Sequence, residues 1–413
     1  MIAVSPVASR RDLQDFLRFP RLLYRGLPGY VAPLDMEREQ TLSPEKAPFF
    51  QSNEAAFYLA HHDGKIVGRI SAQILSDAPA QWPLKTGLFG CLDAVDDPRV
   101  IGKLLDAVGR WLDARGMNRM RGPFNLSSNG ETGLQISGQS HMPMVMTPWH
   151  PPYLARHVET HGLQPVKDVV SYSLDLARLG PSDLKHHRSL MIRTAEDLKV
   201  RGLDLRHLHH DIQIITTVYN DAWSANWGFT PISDAEARAL AASLKPIIQE
   251  DMAVIVERNG NPIAVALWIP NIQEMVADMD GRLLPFNWIK FLWRARRRAY
   301  SSCRVILLGV AQSERGNPSN LGLPAMMISE LVRRSINHNI RQVELGWILE
   351  DNMGLRRTIE RIGGTISTTH RIYEVGLPTY SRDELAANAI IQRIGHTDRT
   401  QIAQTADKFV AGL

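Results

Sequence analysis

Two glutamates stand where a proton acceptor would be useful. Glu344 lies in the run Val343, Glu344, Leu345, Gly346, Trp347. Strand alternation puts it on the face opposite Leu345. Glu131 sits among short polar residues, Asn125, Ser127, Ser128, Asn129, Gly130 and Thr132. A carboxylate in either place takes a proton from a nucleophile directly or through water. Each also has a plainer reading. Glu344 could salt-bridge to a helix arginine, and the loop of Glu131 could be a self-bonded polar turn. A third feature is the apolar strand Val305 to Val310. It is followed by Gly316, Asn317, Asn320, Leu321 and Gly322, and then by a helix opening at Pro324 and Ala325. Free amides and the helix dipole at such a junction attract phosphate oxygens.

Other chemistries lack their residues. The fourteen histidines include the adjacent pairs His61-His62, His186-His187 and His209-His210. No H-E-x-x-H or Cys/His ligand spacing occurs, so no metal is expected. No Walker loop, G-x-S-x-G elbow or dinucleotide fingerprint is present. Cys91 and Cys303 are far apart, which predicts no disulfide framework and a cytoplasmic setting.

The chain has 413 residues, 44% hydrophobic and 22% charged, with a formal charge of +4. That length predicts two or three domains. So small an excess of positive charge does not argue for nucleic acid. No apolar run approaches the roughly 18 residues of a membrane-spanning helix. The first residues, with Arg10, Arg11 and Asp12 and no apolar core, do not read as a secretory signal. Positive charge is concentrated at Arg294, Arg296, Arg297 and Arg298, just after Leu283, Leu284, Phe286, Trp288, Ile289, Phe291, Leu292 and Trp293. Such a segment either rests on an anionic membrane surface or packs as an ordinary surface helix.

The elements that position these residues occur twice. Each half opens with a short strand, near Ile2–Val4 and near Leu203–Leu205. A helix follows, capped by Asp12 in the first half and Asp211 in the second. Each half then has a hairpin, turning at Asp63-Gly64 and at Asn259-Gly260, pairs suited to the positive φ angles of tight turns. Strand, helix, strand, helix and strand follow in both, with Gly162 and Gly363 ending the last helices. Leu104, Val108 and Leu112 recur with helical spacing, as do Ile328, Val332 and Ile336, and Leu355, Ile359 and Ile362. A repeat of this length is a duplicated domain. The expected divisions are a first domain at 1–176, a linker at 177–201, a second domain at 202–380 and a helical tail at 381–413.

The run from Arg304 to Val375 resembles the GCN5-related N-acetyltransferase (GNAT) superfamily. The resemblance implies an α/β fold of two tandem GNAT-like domains, each with a mixed, mostly antiparallel sheet flanked by helices. It implies that Leu308, Gly309 and Val310 bond the pantetheine of an acyl-coenzyme A. Gly316, Asn320, Leu321, Gly322, Pro324 and Ala325 would then hold the pyrophosphate. Asn352, eleven residues before Gly363, would contact the pantetheine or cap a helix. Two features depart from the family pattern. The pyrophosphate loop is longer than usual, and Ile359 stands where the family often has a general-acid tyrosine. In the first half, Asp96-Asp97-Pro98 replaces any glycine-rich loop, and two acids repel phosphate. That half reads as having lost the cofactor and walling the acceptor site, or as purely structural.

Over the whole chain the sequence is similar to a bacterial family of tandem GNAT proteins. The carriers are Phe19-Pro20-Arg21-Leu22-Leu23-Tyr24 with Tyr30, Arg121-Gly122-Pro123-Phe124-Asn125, Asn226-Trp227-Gly228-Phe229, and Gly346 to Asn352. Bacterial ceramide synthases, which N-acylate a sphingoid base, look like looser relatives. The implied activity is acyl-CoA-dependent N-acylation of a primary amine, with an amphiphilic acceptor such as a sphingoid base. The alternative is a catalytically silent ligand-binding or structural protein. Glu131, Glu344 and Tyr373 are the candidate catalytic residues. Tyr24, Tyr30, Asn125, Asn129, Trp227 and Trp347 are candidates for the acceptor site. A backbone amide of Val310 or Ala311 would steady the oxyanion. The expected location is cytoplasmic, with peripheral contact to the inner membrane through 283–298.

Overall fold

The computed structural model describes residues 1–126, 129–178, 197–245, 247–317, 320 and 322–378. The expected tail and most of the linker therefore lie outside the described residues.

The first half contains β1 (Ile2–Pro6), α1 (Arg10–Tyr24), α2 (Asp35–Leu42), β2 (Glu54–His62), β3 (Lys65–Ile74), β4 (Thr86–Ala94), α3 (Pro98–Asp113), β5 (Arg119–Gly122), β6 (Leu134–Ser137), α4 (Pro152–Thr160) and β7 (Gln164–Asp175). The second contains β8 (Leu198–Arg201), α5 (Leu208–Trp223), α6 (Asp234–Leu244), β9 (Ala253–Arg258), β10 (Asn261–Pro270), α7 (Ile272–Val276), α8 (Asn287–Arg296), β11 (Ser302–Val310), α9 (Leu323–Ile336), β12 (Gln342–Leu349), α10 (Met353–Arg361) and β13 (Thr365–Gly376). The hairpin turns form as their residues predict, with positive φ at Asp63, Gly64, Asn259 and Gly260. The helical stripes mostly face inward: Leu104, Val108 and Leu112 are buried, as are Ile328, Val332 and Ile359, whereas Leu355 and Ile362 are half-buried and Ile336, in the last turn of its helix, is exposed. Each fully buried aliphatic side chain contributes about 1.5–3 kcal/mol relative to exposure.

Two caps differ from expectation. Ser9 is the N-cap of α1, and Asp12 completes a capping box with it. Asp211 lies inside the first turn of α5, buried, with both carboxylate oxygens on Arg201 and one also accepting the Asp204 amide. In both places an acidic side chain found a better partner than the position one residue before the helix.

The strands form one sheet in the order β1-β2-β3-β4-β5-β13-β7-β12-β11-β10-β9-β8, with β6 pairing β13. Parallel pairing occurs between β4 and β5 and between β11 and β12, and the other ladders are antiparallel. The halves thus exchange their last strands. β13 pairs β5 of the first half, and β7 pairs β12 of the second. The cores follow suit. Val170, Tyr172 and Leu174 of β7 pack in the second half's core, whereas Tyr373 of β13 packs in the first half's.

Each half has a place where its parallel pair parts. In the second half, β11 pairs β12 only from Ser302/Gln342 to Val305/Leu345, so among the described residues Ile306–Val310 have no strand on that side. In the first half, the β4–β5 ladder ends at Leu88/Arg121, but the chain itself closes the gap. The Phe124 amide donates to the Phe89 carbonyl at 2.8 Å, and the Cys91 amide donates to Asn125 Oδ1 at 2.7 Å. A Cβ at Gly90 would stand 1.7 Å from the Phe124 carbonyl oxygen. Only glycine permits this approach.

Candidate functional site

Glu344 occupies the last turnless stretch of β12 before the strands part, paired in register with Arg304 of β11. Cys303 turns toward Ser335 of α9, so strand alternation sends Arg304 and Glu344 to the opposite face. Both are almost fully buried, with Arg304 Nε 3.2 Å from Glu344 Oε1 and Arg304 Nη1 donating to the Val145 carbonyl at 2.6 Å. Burial raises the Glu344 carboxyl above its ordinary value, and Arg304 only partly offsets this. A carboxyl so tuned is a better proton acceptor near neutral pH than an exposed one.

Glu344 lines a cavity of about 320 Å³. The wall comes from both halves. Gln135, His141, Met144 and Ser173 belong to the first, and Asn271, Glu274, Ser302 and His370 to the second. His370 donates from Nε2 to the Pro148 carbonyl in the tautomer that this 2.9 Å contact requires. Burial lowers its pKa to about 4, which keeps the ring neutral at physiological pH.

Glu131 lies in a second, smaller cavity under α1 and α2, which shares Pro143, Thr147 and Pro148 with the first. Arg38 grips Glu131 with two nitrogens, at 2.8 and 2.5 Å, and Asn125 Nδ2 donates to it at 2.5 Å. Burial pushes this carboxyl up, but the Arg38 charge and these hydrogen bonds outweigh it and hold it at about 2. That is the signature of a fixed anion. Tyr24, Tyr30 and Asn125 line the same cavity, with Tyr24, Tyr30 and Trp149 in mutual edge contact and Arg69 bound to Asp93 beside them.

The remaining candidates lie elsewhere. The Tyr373 hydroxyl donates to Glu159 at 2.9 Å within the first half's core, and the residue lines neither cavity. Strand exchange carries it there, away from the face that holds Glu344. Asn129 donates to the Thr230 carbonyl at 2.9 Å and so ties the halves together. Trp227 packs on Trp82 near Arg121 and Lys167, and Trp347 meets Trp223 edge-on. Both belong to a cluster between the halves, outside the two cavities. Sequence reasoning missed Arg304, His370 and the partition Pro143–Pro148. Arg304 carried a readable signal, a lone charge in an apolar strand.

Of the residues named for acyl-CoA, Leu308 and Val310 share one edge. The Leu308 carbonyl accepts from the Trp223 indole at 3.3 Å and the Val310 carbonyl from Arg315 Nε at 3.0 Å, on the side away from β10. The N–H groups of the same residues point the same way. Ala311 does not, because its amide donates to Ile263 of β10 at 2.9 Å. Gly309 packs against Ala222, and Gly316 takes a φ of +85°. Asn320 is a loop brace, accepting from Arg258 at 2.8 Å and bonding Glu314. Leu321 lies outside the described residues. Gly322 is the N-cap of α9, with no side-chain cap and with Pro324 in the first turn before Ala325. By contrast, the first half's α3 is capped by Asp97, which accepts the Arg99 amide and holds the Arg99 side chain. That terminus is already neutralised by a carboxylate. Asn352 caps α10 through the Leu355 amide at 3.3 Å. Ile359, at the family's tyrosine position, is fully buried.

The chain is 36% identical over 378 residues to "Bacterial ceramide synthase" of Caulobacter vibrioides (strain NA1000 / CB15N), covering 91% of this chain and 98% of that protein. It is 33% identical over 366 residues to "Protein YghO" of Escherichia coli (strain K12), covering 89% and 93%. Among solved structures, a tandem GNAT protein from the clavulanic acid biosynthesis pathway superposes with a TM-score of 0.54 at 12% identity, over 92% of this chain and all of that one. The chain belongs to the family of these two proteins, and its fold is that of the tandem GNAT proteins. It is an acyltransferase of the GNAT type. No protein-family model matches it.

Proposed function

We propose that this tandem GNAT protein transfers the acyl group of an acyl-CoA to the primary amine of an amphiphilic acceptor, such as a sphingoid base, with Glu344 as the base. The observation that carries the reading is a buried carboxyl of raised pKa, in a cavity built by both halves, next to the point where β11 and β12 part. The name of the Caulobacter relative supports the acceptor class. The open edge at Leu308 and Val310 and the uncapped start of α9 fit the pantetheine and pyrophosphate. The closed first half does not fit either. Bound acyl-CoA would supply the activated acyl group. Glu344 would take the proton that the attacking amine loses, leaving an amide and, once a proton reaches the thiolate, free CoA thiol. Arg304 would keep the carboxylate placed, and neutral His370, its Nε2 hydrogen on Pro148, would accept a hydrogen bond at Nδ1 from the acceptor. The protein would work in the cytoplasm, at the membrane face.

The test is thiol release from long-chain acyl-CoA with pooled long-chain amines, and mass spectrometry of the amide formed. Calorimetric titration should give one acyl-CoA site per chain, lost when Gly322 is replaced by a bulky residue. Two equal sites, or none, would overturn the assignment to the second half. Binding without turnover on any amine would return the ligand-binding alternative.

A further inference from the structure

The duplication exposes an addition. The connection from β3 to β4 spans eleven residues (75–85), whereas the matching connection from β10 to β11 spans thirty-one (271–301). The fold closes without the extra length in one half, so the extra length has another task.

Its composition indicates which. Leu284, Phe286, Trp288, Ile289 and Trp293 are 76%, 74%, 45%, 52% and 53% exposed. No residue of α8 is buried. So dense a group of large apolar side chains in water marks a surface that something covers. Residues 282–298 contain six basic residues and no acidic one. Arg294 and Lys290 are anchored on Asp278, at 2.6 and 2.5 Å, so they fasten the helix. Arg282, Arg296 and Arg297 remain exposed, with Arg297 over the Trp293 ring at 4.6 Å. Tryptophan and aliphatic side chains flanked by arginine suit the headgroup boundary of an anionic bilayer.

Both ends of the addition meet the Glu344 cavity. Asn271, Glu274 and Ser301 line it. Glu274 accepts from the Ser301 amide at 2.7 Å and the Ser302 amide at 2.9 Å, pinning the returning chain to the departing one. We infer that 271–301 is a docking arm that seats the protein on an anionic lipid surface and turns the Glu344 cavity toward it, so that the acceptor amine comes from the bilayer. The delivery step rests on the acyltransferase reading, whereas the docking step does not.

Co-sedimentation of the full chain with phosphatidylglycerol-containing vesicles, without acyl-CoA, tests docking alone. The chain should bind them, bind neutral phosphatidylcholine vesicles far more weakly, and release as salt rises. The triple variant Trp288→Ser, Ile289→Ser, Trp293→Ser should lose at least about tenfold in partitioning, and Arg296→Gln with Arg297→Gln roughly fivefold per charge. Turnover of a water-soluble short-chain amine should be unchanged in the triple variant, while turnover of a vesicle-embedded amine falls. Wild-type protein that stays in the supernatant, or a triple variant that binds as well, overturns docking. A dimer dispersed by the triple variant, with no vesicle binding, assigns the face to a second copy and overturns it too. Loss of docking with unchanged turnover of the embedded amine overturns delivery. Vesicle binding without any turnover leaves docking standing and refutes only the acyltransferase reading.

Discussion

Replacing Glu344 with glutamine keeps the shape of the side chain and removes its proton affinity. General-base catalysis is worth on the order of 10²–10⁴ in rate, or roughly 3–5 kcal/mol of barrier. Stability changes as well, because the Arg304 guanidinium, 2% exposed, keeps only the Val145 carbonyl and loses its counter-charge. Breaking a buried pair on one side costs at most about 3–5 kcal/mol, and less here, because burial already favours the neutral form of this carboxyl that glutamine resembles. Rate and stability separate by observable. Single-turnover rates at saturating acyl-CoA report the chemistry, and urea unfolding reports the fold. The pair replacement Glu344→Leu with Arg304→Met removes both charges and should recover most of the stability, but none of the rate. In the wild type, turnover should rise through an ionisation above the ordinary carboxylate range, because burial raises this carboxyl. A raised folded-state pKa also means that the group's contribution to stability is complete below its ordinary value of 4.5 and is lost as pH rises through the folded value. Both dependences should vanish in the glutamine variant. Near-normal turnover of Glu344→Gln at every pH would refute side-chain carboxylate catalysis, and positioning alone would then carry the reaction.

Glu131→Gln should act on the fold. It leaves Arg38 without its bidentate anion and should cost on the order of 3–5 kcal/mol in urea unfolding, while the rate per folded molecule stays within about threefold. With its carboxyl held at about 2, Glu131 stabilises the protein above pH 4.5 and loses that contribution as pH falls toward 2. A hundredfold loss of rate in fully folded protein would make Glu131 the base instead. The strand exchange predicts that residues 1–178 expressed alone do not form a cooperatively melting monomer, because β5 and β7 lack β13 between them, and that co-expression of the second half restores soluble protein. A monomeric first half with a sharp thermal transition would refute that dependence.

The local structure was legible because local chemistry fixes it. Asp63-Gly64 and Asn259-Gly260 dictate their turns, and Leu104, Val108 and Leu112 dictate a buried helical face. The exchange of β7 and β13 was not legible. Both are long strands of similar character, and which neighbour each pairs depends on the whole sheet. That one fact relocates Tyr373 into the first half's core and places Ser173 beside Glu344. Spacing gave Glu344 its face, but only the register with Arg304 gave it a partner, and its burial comes from elements distant in sequence, including β7 and Pro143–Pro148. Glu131 and Glu344 looked alike in sequence. The structure separates them through Arg38, a residue ninety-three positions from Glu131.

The first half has closed its own parting strands with Phe124 and capped its phosphate-facing helix with Asp97, yet it supplies about half of the wall around Glu344. Its β7 flanks β12, and its segment Pro143–Pro148 separates the two cavities. Burial is what raises the Glu344 carboxyl. Without the exchange, β13 would stand beside β12 in the place that β7 holds here. The first half, through β7 and Pro143–Pro148, thus helps to bury a carboxyl on the central sheet while the amides of Leu308 and Val310 face away from β10.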